Sequence, residues 1–256
     1  GTTLANISYY TSGDAAGRIN TISDALNRTY TLSSYKRGIP RTILRPDGNS
    51  ITRVVDNNGW VTSQTNARNH TTGFQYNNMG WLTRIDRPAS WADTVISYGN
   101  LGNGLTQTST RGNSRTVNTM DGYHRTILLK AEDLTGNSGA VYTKTSYDGL
   151  GRATFNSFPS FSSAASTGTN ITYDALGRVT QQAENVAPFA TTSTSYLSGG
   201  RVRVTDPTNA QTTTTYKSWG GPSTSEPTLI QQPEGMSTAM TYDAWGNLLT
   251  AAQGGF

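Results

Sequence analysis

The chain contains no cysteine and little apolar material for its length of 256 residues. Without cysteine it has neither a disulfide framework nor a thiolate metal site, so backbone pairing and packing have to stabilise it. Only 34% of its residues are hydrophobic even when tyrosine is counted. No apolar run approaches the roughly 18 residues of a membrane-spanning helix, and the N-terminus lacks the basic and then apolar segments of a signal peptide. We therefore expect no membrane span.

Charge is also sparse, since 14% of the residues are charged and the formal net charge is +4. The basic residues are scattered singly and form no cluster, so we expect no specific nucleic-acid partner. Disorder is the other explanation of such a composition. The aromatic content of 9% and the small net charge argue against it.

The sequence repeats itself along its whole length. Three segments share a Tyr-Asp-x-x-Gly frame: YDGLGRAT from Tyr147, YDALGRVT from Tyr173 and YDAWGNLLT from Tyr242. Weaker copies of this head motif begin near residues 13, 35, 55, 76, 98, 120, 196 and 216. The heads recur about every 23 residues. We interpret residues 1–256 as a single array of about eleven units and as a piece of a longer protein.

A second turn motif lies about ten residues before many of the heads. It reads DALN, PDGN, NARN, DPTN and PEGM, beginning at residues 24, 46, 66, 206 and 233. Such tetrads are typical of turns, and the runs between them are short, alternating and rich in Thr, Val, Ile and Tyr. The pattern predicts an all-β fold of repeated antiparallel hairpins that forms a single-layer ribbon. Lys130–Ala140 and Ser157–Gly168 are predicted to be loops, and no long helix is expected.

The head motif has a structural role of its own. An Asp that opens a four-residue turn can accept backbone N–H groups two residues on, and the Gly supplies the positive φ that returns the chain antiparallel. The Tyr ends the incoming strand, where its ring can stack on the next unit. The residues to which we assign this role are Tyr147, Asp148, Gly151, Arg152, Tyr173, Asp174, Gly177, Arg178, Tyr242, Asp243 and Gly246.

These heads, with a Pro/Asp-x-Gly/Asn turn between them, resemble the Rhs/YD-repeat family: bacterial Rhs and wall-associated toxins, the C component of Tc toxins and the YD shell of teneurins. The resemblance implies a strip of hairpins that spirals into a hollow or partial shell and, in complete members, encloses a C-terminal toxic domain. Toxin-bearing members also carry a self-cleaving segment, which is not found here. Asp206-Pro207 is followed by Thr208-Asn209 and not by Gly-Leu, so it is interpreted as a turn.

The sequence offers few residues for catalysis. His70 and His124 are the only histidines, and both fall in turn positions of degenerate repeats. The aspartates of the three strong heads are expected to cap turns, because general acid catalysis needs a second carboxylate close by in a pocket. The stretch GNLGNG at residues 99–104 lacks the G-K-[ST] ending of a phosphate loop. We predict no enzyme activity, no cofactor and no metal.

Tryptophans recur in or next to the head turns, namely Trp60, Trp81, Trp219 and Trp245. Rows of aromatic rings on a sheet can stack on sugar rings, so these four residues are the candidate ligand-stacking set. The alternative is that they pack over the adjacent hairpin in place of Leu150 and Leu176 of other heads.

The prediction for function is a structural segment of an exported bacterial shell that encapsulates or displays a polymorphic toxin domain. Its implied partners are the remainder of a larger Rhs/YD-repeat protein and the enclosed toxin, and its implied location is secreted or at the cell surface. The alternative is a carbohydrate- or protein-binding adhesion module that uses exposed tryptophans and strand edges.

Overall fold

The computed structural model describes residues 5–100, 104–218 and 223–255. These residues form 22 β-strands and contain no helix, which confirms the all-β hairpin fold. No helix in the described part of the chain is therefore long and apolar enough to cross a membrane. The chain divides into two compact units, Gly1–Arg125 with Ala131–Ala140, and Thr126–Lys130 with Val141–Phe256.

The first unit is a meander in which each strand pairs antiparallel with the next along the chain. Its strands are β1 (Ala5–Tyr9), β2 (Ile19–Asp24), β3 (Thr29–Ser33), β4 (Thr42–Leu44), β5 (Ser50–Val55), β6 (Val61–Thr65), β7 (Thr71–Tyr76), β8 (Leu82–Asp86), β9 (Thr94–Asn100), β10 (Leu105–Arg111) and β11 (Ser114–Met120). Strand β12 (Thr126–Asp133) contributes residues to both units.

The second unit repeats this arrangement with successive antiparallel pairs. Its strands are β13 (Val141–Tyr147), β14 (Ala153–Ser157), β15 (Gly168–Tyr173), β16 (Val179–Glu184), β17 (Thr191–Leu197), β18 (Arg201–Thr205), β19 (Gln211–Tyr216), β20 (Pro227–Gln231), β21 (Met236–Tyr242) and β22 (Leu248–Gly255). Within each unit the chain therefore forms one strip of sheet built from local hairpins.

Almost nothing in this strip is fully buried. Among the described residues only Val55, Thr94, Ala165 and Gly168 are buried. The accessible surface is 16299 Å², whereas a compact protein of the same 27.5 kDa exposes about 11,000 Å². The low apolar content is thus matched to a sheet that has no second layer to pack against, so stability has to come from the joints between neighbouring hairpins.

One predicted loop was wrong in part. Strand β12 runs on to Asp133, so only residues 134–140 lie between β12 and β13. Glu132 is held on that strand by an ion pair with Arg115, whose Nε lies 2.5 Å from the carboxylate. The other predicted loop is present at residues 158–167, between β14 and β15.

Candidate functional site

The turn after Tyr173 shows how the head motif works. Asp174 Oδ1 accepts the backbone N–H groups of Leu176 and Arg178, each at 2.9 Å. The backbone N–H of Gly177 donates to the Asp174 carbonyl at 3.0 Å, and Gly177 has a φ of 80°. This is a three-residue hairpin loop that closes with a left-handed residue, the position where glycine avoids a steric penalty.

The same turn recurs in the heads and also between them. In each copy a side-chain oxygen of Asp or Asn accepts the N–H groups two and four residues on. The accepting residues are Asp24, Asp56, Asn66, Asn77, Asp121, Asp148, Asp174, Asp206 and Asp243. The third residue after each has a positive φ, and His124, with a φ of 60°, occupies that place after Asp121. The two turn motifs of the sequence are therefore one structure.

In two of the three strong heads, an arginine joins the head to the next tyrosine. Arg178 donates from Nε to Oδ2 of Asp174 at 2.7 Å, and its guanidinium carbon lies 3.9 Å from the ring centroid of Tyr196. Arg152 makes the same bond to Asp148 at 2.7 Å and lies over Tyr173 at 4.5 Å. One guanidinium thus serves its own turn and the tyrosine of the following unit.

Two of the candidate tryptophans occupy this arginine position. The Trp60 ring lies 5.3 Å from the Tyr76 ring, and the Trp81 ring lies 4.8 Å from the Tyr98 ring. Both indoles are therefore engaged with the tyrosine of the next head. Neither takes the place of Leu150 or Leu176.

The tyrosine hydroxyls form a second set of joints between units. Seven tyrosines donate to a backbone carbonyl of the preceding unit, and in six of them the acceptor residue directly follows the arginine position of the preceding head. The bonds measure 2.5–3.1 Å and run from Tyr35 to Ile19, Tyr76 to Val61, Tyr98 to Leu82, Tyr147 to Thr126, Tyr173 to Ala153, Tyr196 to Val179, and Tyr242 to Pro227. Four of these tyrosines are tied to the previous head through ring and hydroxyl together, namely Tyr76, Tyr98, Tyr173 and Tyr196.

A threonine role was missed from the sequence. Ser146 pairs with Phe155 but Tyr147 pairs with Ala153, which leaves Thr154 as the extra residue of a β-bulge. The Thr154 hydroxyl donates to the Ser146 carbonyl at 3.3 Å. Thr62, Thr83 and Thr180 occupy the same position in other heads. The available signal was the Thr that closes the repeated motif two residues after Arg or Trp.

The aspartates of the three strong heads are structural acceptors held in the ionised state. The pKa of Asp174 is lowered from 3.8, chiefly by the backbone hydrogen bond from Arg178, and that of Asp148 is lowered chiefly by the corresponding bond from Arg152. The pKa of Asp243 is lowered chiefly by the side chain of Asn247. A carboxylate held ionised in this way is a poor proton donor. The described residues contain no group of three or more His, Asp or Glu that could hold a metal ion.

The two remaining candidate tryptophans differ from Trp60 and Trp81. Trp245 stands at the middle of its hairpin loop and is 86% exposed, and Leu150 and Leu176 occupy that loop position in other heads at 79% and 76% exposure. These side chains project from the loop and do not cover the adjacent hairpin. Trp219 lies outside the described residues, as do parts of the heads that begin at residues 98 and 216.

The repeat and the fold both have known counterparts. Residues 55–90 match the RHS Repeat family. The fold is shared with a crystal structure of TcdB2-TccC3-TEV, at a TM-score of 0.72 and 12% identity over 97% of this chain. TcdB2-TccC3 shares the fold at a TM-score of 0.69 and 12% identity over 96% of this chain. TcdB2-TccC3 without its hypervariable C-terminal region shares it at a TM-score of 0.66 and 12% identity over 97% of this chain.

The chain spans only 14% to 16% of the length of these solved chains, and no curated protein matches it in sequence. The likeness to the solved structures establishes the fold, and the matched repeat establishes the sequence relationship. Residues 55–90 are therefore similar to an RHS repeat, and the chain shares its fold with the TcdB2-TccC3 structures.

Proposed function

We propose that the chain is a segment of wall in an exported bacterial shell that encapsulates or displays a polymorphic toxin domain. Its partners in this proposal are the rest of a larger Rhs/YD-repeat protein and the enclosed domain, and its place is outside the producing cell. The structural repeat role itself follows from the fold, whereas cargo and export are the proposed part.

The observation that carries the proposal is the way in which units are joined. Four heads are fastened to the preceding one by a tyrosine hydroxyl and by a contact of the tyrosine ring with Arg or Trp. Few of the described residues of the strip are buried, so it can be lengthened unit by unit without enlarging an apolar core. A wall that stands between solvent and contents requires these properties.

A structural neighbour adds support. One of the solved structures with this fold is TcdB2-TccC3 without its hypervariable C-terminal region. In that protein the fold therefore exists without the variable region, as expected of a container that is separate from its contents.

Protease protection of the full-length protein tests the proposal. We expect the open reading frame to continue into further repeats and an unrelated C-terminal domain. That domain should resist a protease in the intact protein and be cut rapidly when produced alone. Equal cleavage rates in the two forms, or a reading frame with no further domain, would contradict encapsulation.

The binding alternative rests on Trp245, whose ring is exposed at a hairpin loop. A glycan array probed with the parent chain, Trp245→Ala and the matched loop variant Leu176→Ala separates the two functions. Binding that is lost only in Trp245→Ala would favour a binding module. If the parent chain binds no glycan, the carbohydrate-binding form of this alternative is eliminated.

A further inference from the structure

The first and last described strands each leave one edge of the sheet unpaired. Among the described residues, β1 pairs only with β2 and β22 pairs only with β21. Every residue of both strands is exposed. Neither sequence, ANISY or LLTAAQGG, contains a charged residue or a proline, with which natural sheets protect an edge from further pairing. Both edges can therefore accept another strand.

Tyr9 carries one half of a joint between units. It ends β1 and pairs with Ile19 across a β-bulge. Tyr173 pairs with Val179 across a β-bulge in the same way, so Tyr9 is the equivalent of the head tyrosines. The Tyr9 side chain is 55% exposed, and its hydroxyl has no hydrogen-bond partner among the described residues. The donor of this joint is therefore unused.

Leu248 carries the other half. Asn247 fills the arginine position of the last head, because its carbonyl accepts the backbone N–H of Asp243 at 3.0 Å. The Arg178 carbonyl accepts the backbone N–H of Asp174 in the same way. Leu248 directly follows Asn247, so its carbonyl stands where the other joints have their acceptor. None of the seven tyrosines that form joints donates to it.

The joints also share one register between the strands that they connect. In five of them, the residue three positions after the acceptor carbonyl pairs with the residue four positions before the tyrosine. The pairs are Gln64 with Thr72, Ile85 with Thr94, Asn156 with Thr169, Gln182 with Thr192, and Ile230 with Thr238. Counted from Leu248 and from Tyr9, the same rule pairs Ala251 with Ala5. The strands β22 and β1 are therefore complementary in both hydrogen bonding and register.

We propose that a second copy of this chain occupies these edges, with β1 of one copy paired antiparallel to β22 of the next. The Tyr9 hydroxyl of one copy donates to the Leu248 carbonyl of its neighbour, and Ala5 lies opposite Ala251. Because the two surfaces differ, the contact is head to tail and leaves a free edge at each end, to which further copies can be added. The contact continues the joint that already links units within the chain, and it does not depend on whether the strip encloses a toxin.

Cysteine cross-linking tests the register, because the chain has no cysteine of its own. Ala5 and Ala251 are exposed, and opposed residues of antiparallel strands have Cα atoms about 4.5–5.5 Å apart, within the range of a disulfide. An equimolar mixture of Ala5→Cys and Ala251→Cys should form a mixed disulfide dimer under mild oxidation. The matched control, Ala5→Cys with Ala252→Cys, should form much less, because successive side chains of a strand point to opposite faces.

Sedimentation velocity over a range of concentrations measures the association itself. We expect the mean mass of the parent chain to rise with concentration. Tyr9→Phe should weaken the association by about two- to tenfold, the effect of one hydrogen bond. Tyr123→Phe should leave it unchanged, because Tyr123 lies exposed at a hairpin loop. Circular dichroism of each variant verifies folding.

Three results would overturn the proposal. The first is a parent chain that stays monomeric at all concentrations. The second is equal cross-linking in the two cysteine mixtures, which would indicate association without the proposed register. The third is faster cross-linking of Ala5→Cys or Ala251→Cys to itself than of the mixed pair, because each edge would then pair with its own kind.

Discussion

Replacing Tyr173 by phenylalanine removes one hydroxyl from the joint between two successive heads. The lost interaction is the 2.7 Å bond to the Ala153 carbonyl, and the ring that stacks under Arg152 at 4.5 Å remains. A hydrogen bond of this kind contributes about 0.5–1.5 kcal/mol to the free energy of unfolding. For a chain of this length each kcal/mol corresponds to a shift of roughly 2–4 °C in Tm. We therefore expect Tyr173→Phe to lower Tm by about 1–6 °C.

Chemical denaturation and calorimetry of matched variants measure this effect. Tyr123→Phe is the control, because the Tyr123 side chain is 84% exposed at a hairpin loop and its ring contact with Arg125 survives the change. Tyr196→Phe repeats the experiment one unit on, where the bond to the Val179 carbonyl measures 3.1 Å. The Tm of the combined variant should fall by about the sum of the two single shifts, since each joint of a repeat array acts between its own pair of neighbours. If Tyr173→Phe lowers Tm no more than Tyr123→Phe does, the hydroxyl joints do not stabilise the strip.

Three other changes test the turn itself. Gly177→Ala forces a side chain into a φ of 80° and should cost about 1–2 kcal/mol in denaturant unfolding, whereas Gly149→Ala, with open space around its Cβ, should cost little. The pKa of Asp174 is lowered in the folded protein from its ordinary value of 3.8. Its carboxylate therefore stabilises the fold fully when the pH is above that value, and this stabilisation is lost as the pH falls below it. The Tm of the parent chain should therefore fall in acid, and the Tm of Asp174→Asn should fall less steeply with pH. Parallel plots of Tm against pH for the two proteins would argue against ionised acceptors. Arg178→Trp should have a higher Tm than Arg178→Lys, since Trp60 fills the same position in its own head and lysine cannot contact both the turn carboxylate and the next tyrosine ring as arginine does. The reverse order of Tm would contradict this explanation.

The hairpins were predictable because their chemistry is local. An Asp followed three residues later by a Gly forms this turn wherever the pair occurs in the chain. The repeat period and the positions of the strands could therefore be predicted from the spacing of these residues. The degenerate copy at His124 was located by the spacing of the repeat, since histidine fills the left-handed position that glycine occupies in the strong heads.

The joints between units were less predictable because they link residues 15 or more positions apart. The sequence places Trp60 and Arg178 at the same position of their heads, but only the fold shows that both contact the ring of the next tyrosine. A cavity lined by the turn at residues 66–70 and the loop at residues 87–91 was not predicted from the sequence, because the loop departs from the repeat and no motif marks it.

The hydroxyl joints have a consequence for how such a chain can change. Their acceptors are backbone carbonyls, and the residues that carry them range from Ala153 and Thr126 to Pro227. A carbonyl is present whatever side chain is attached, so substitution at the acceptor position cannot delete it. The strip can therefore exchange most of its sequence while its units stay fastened, which is consistent with a fold shared at 12% identity.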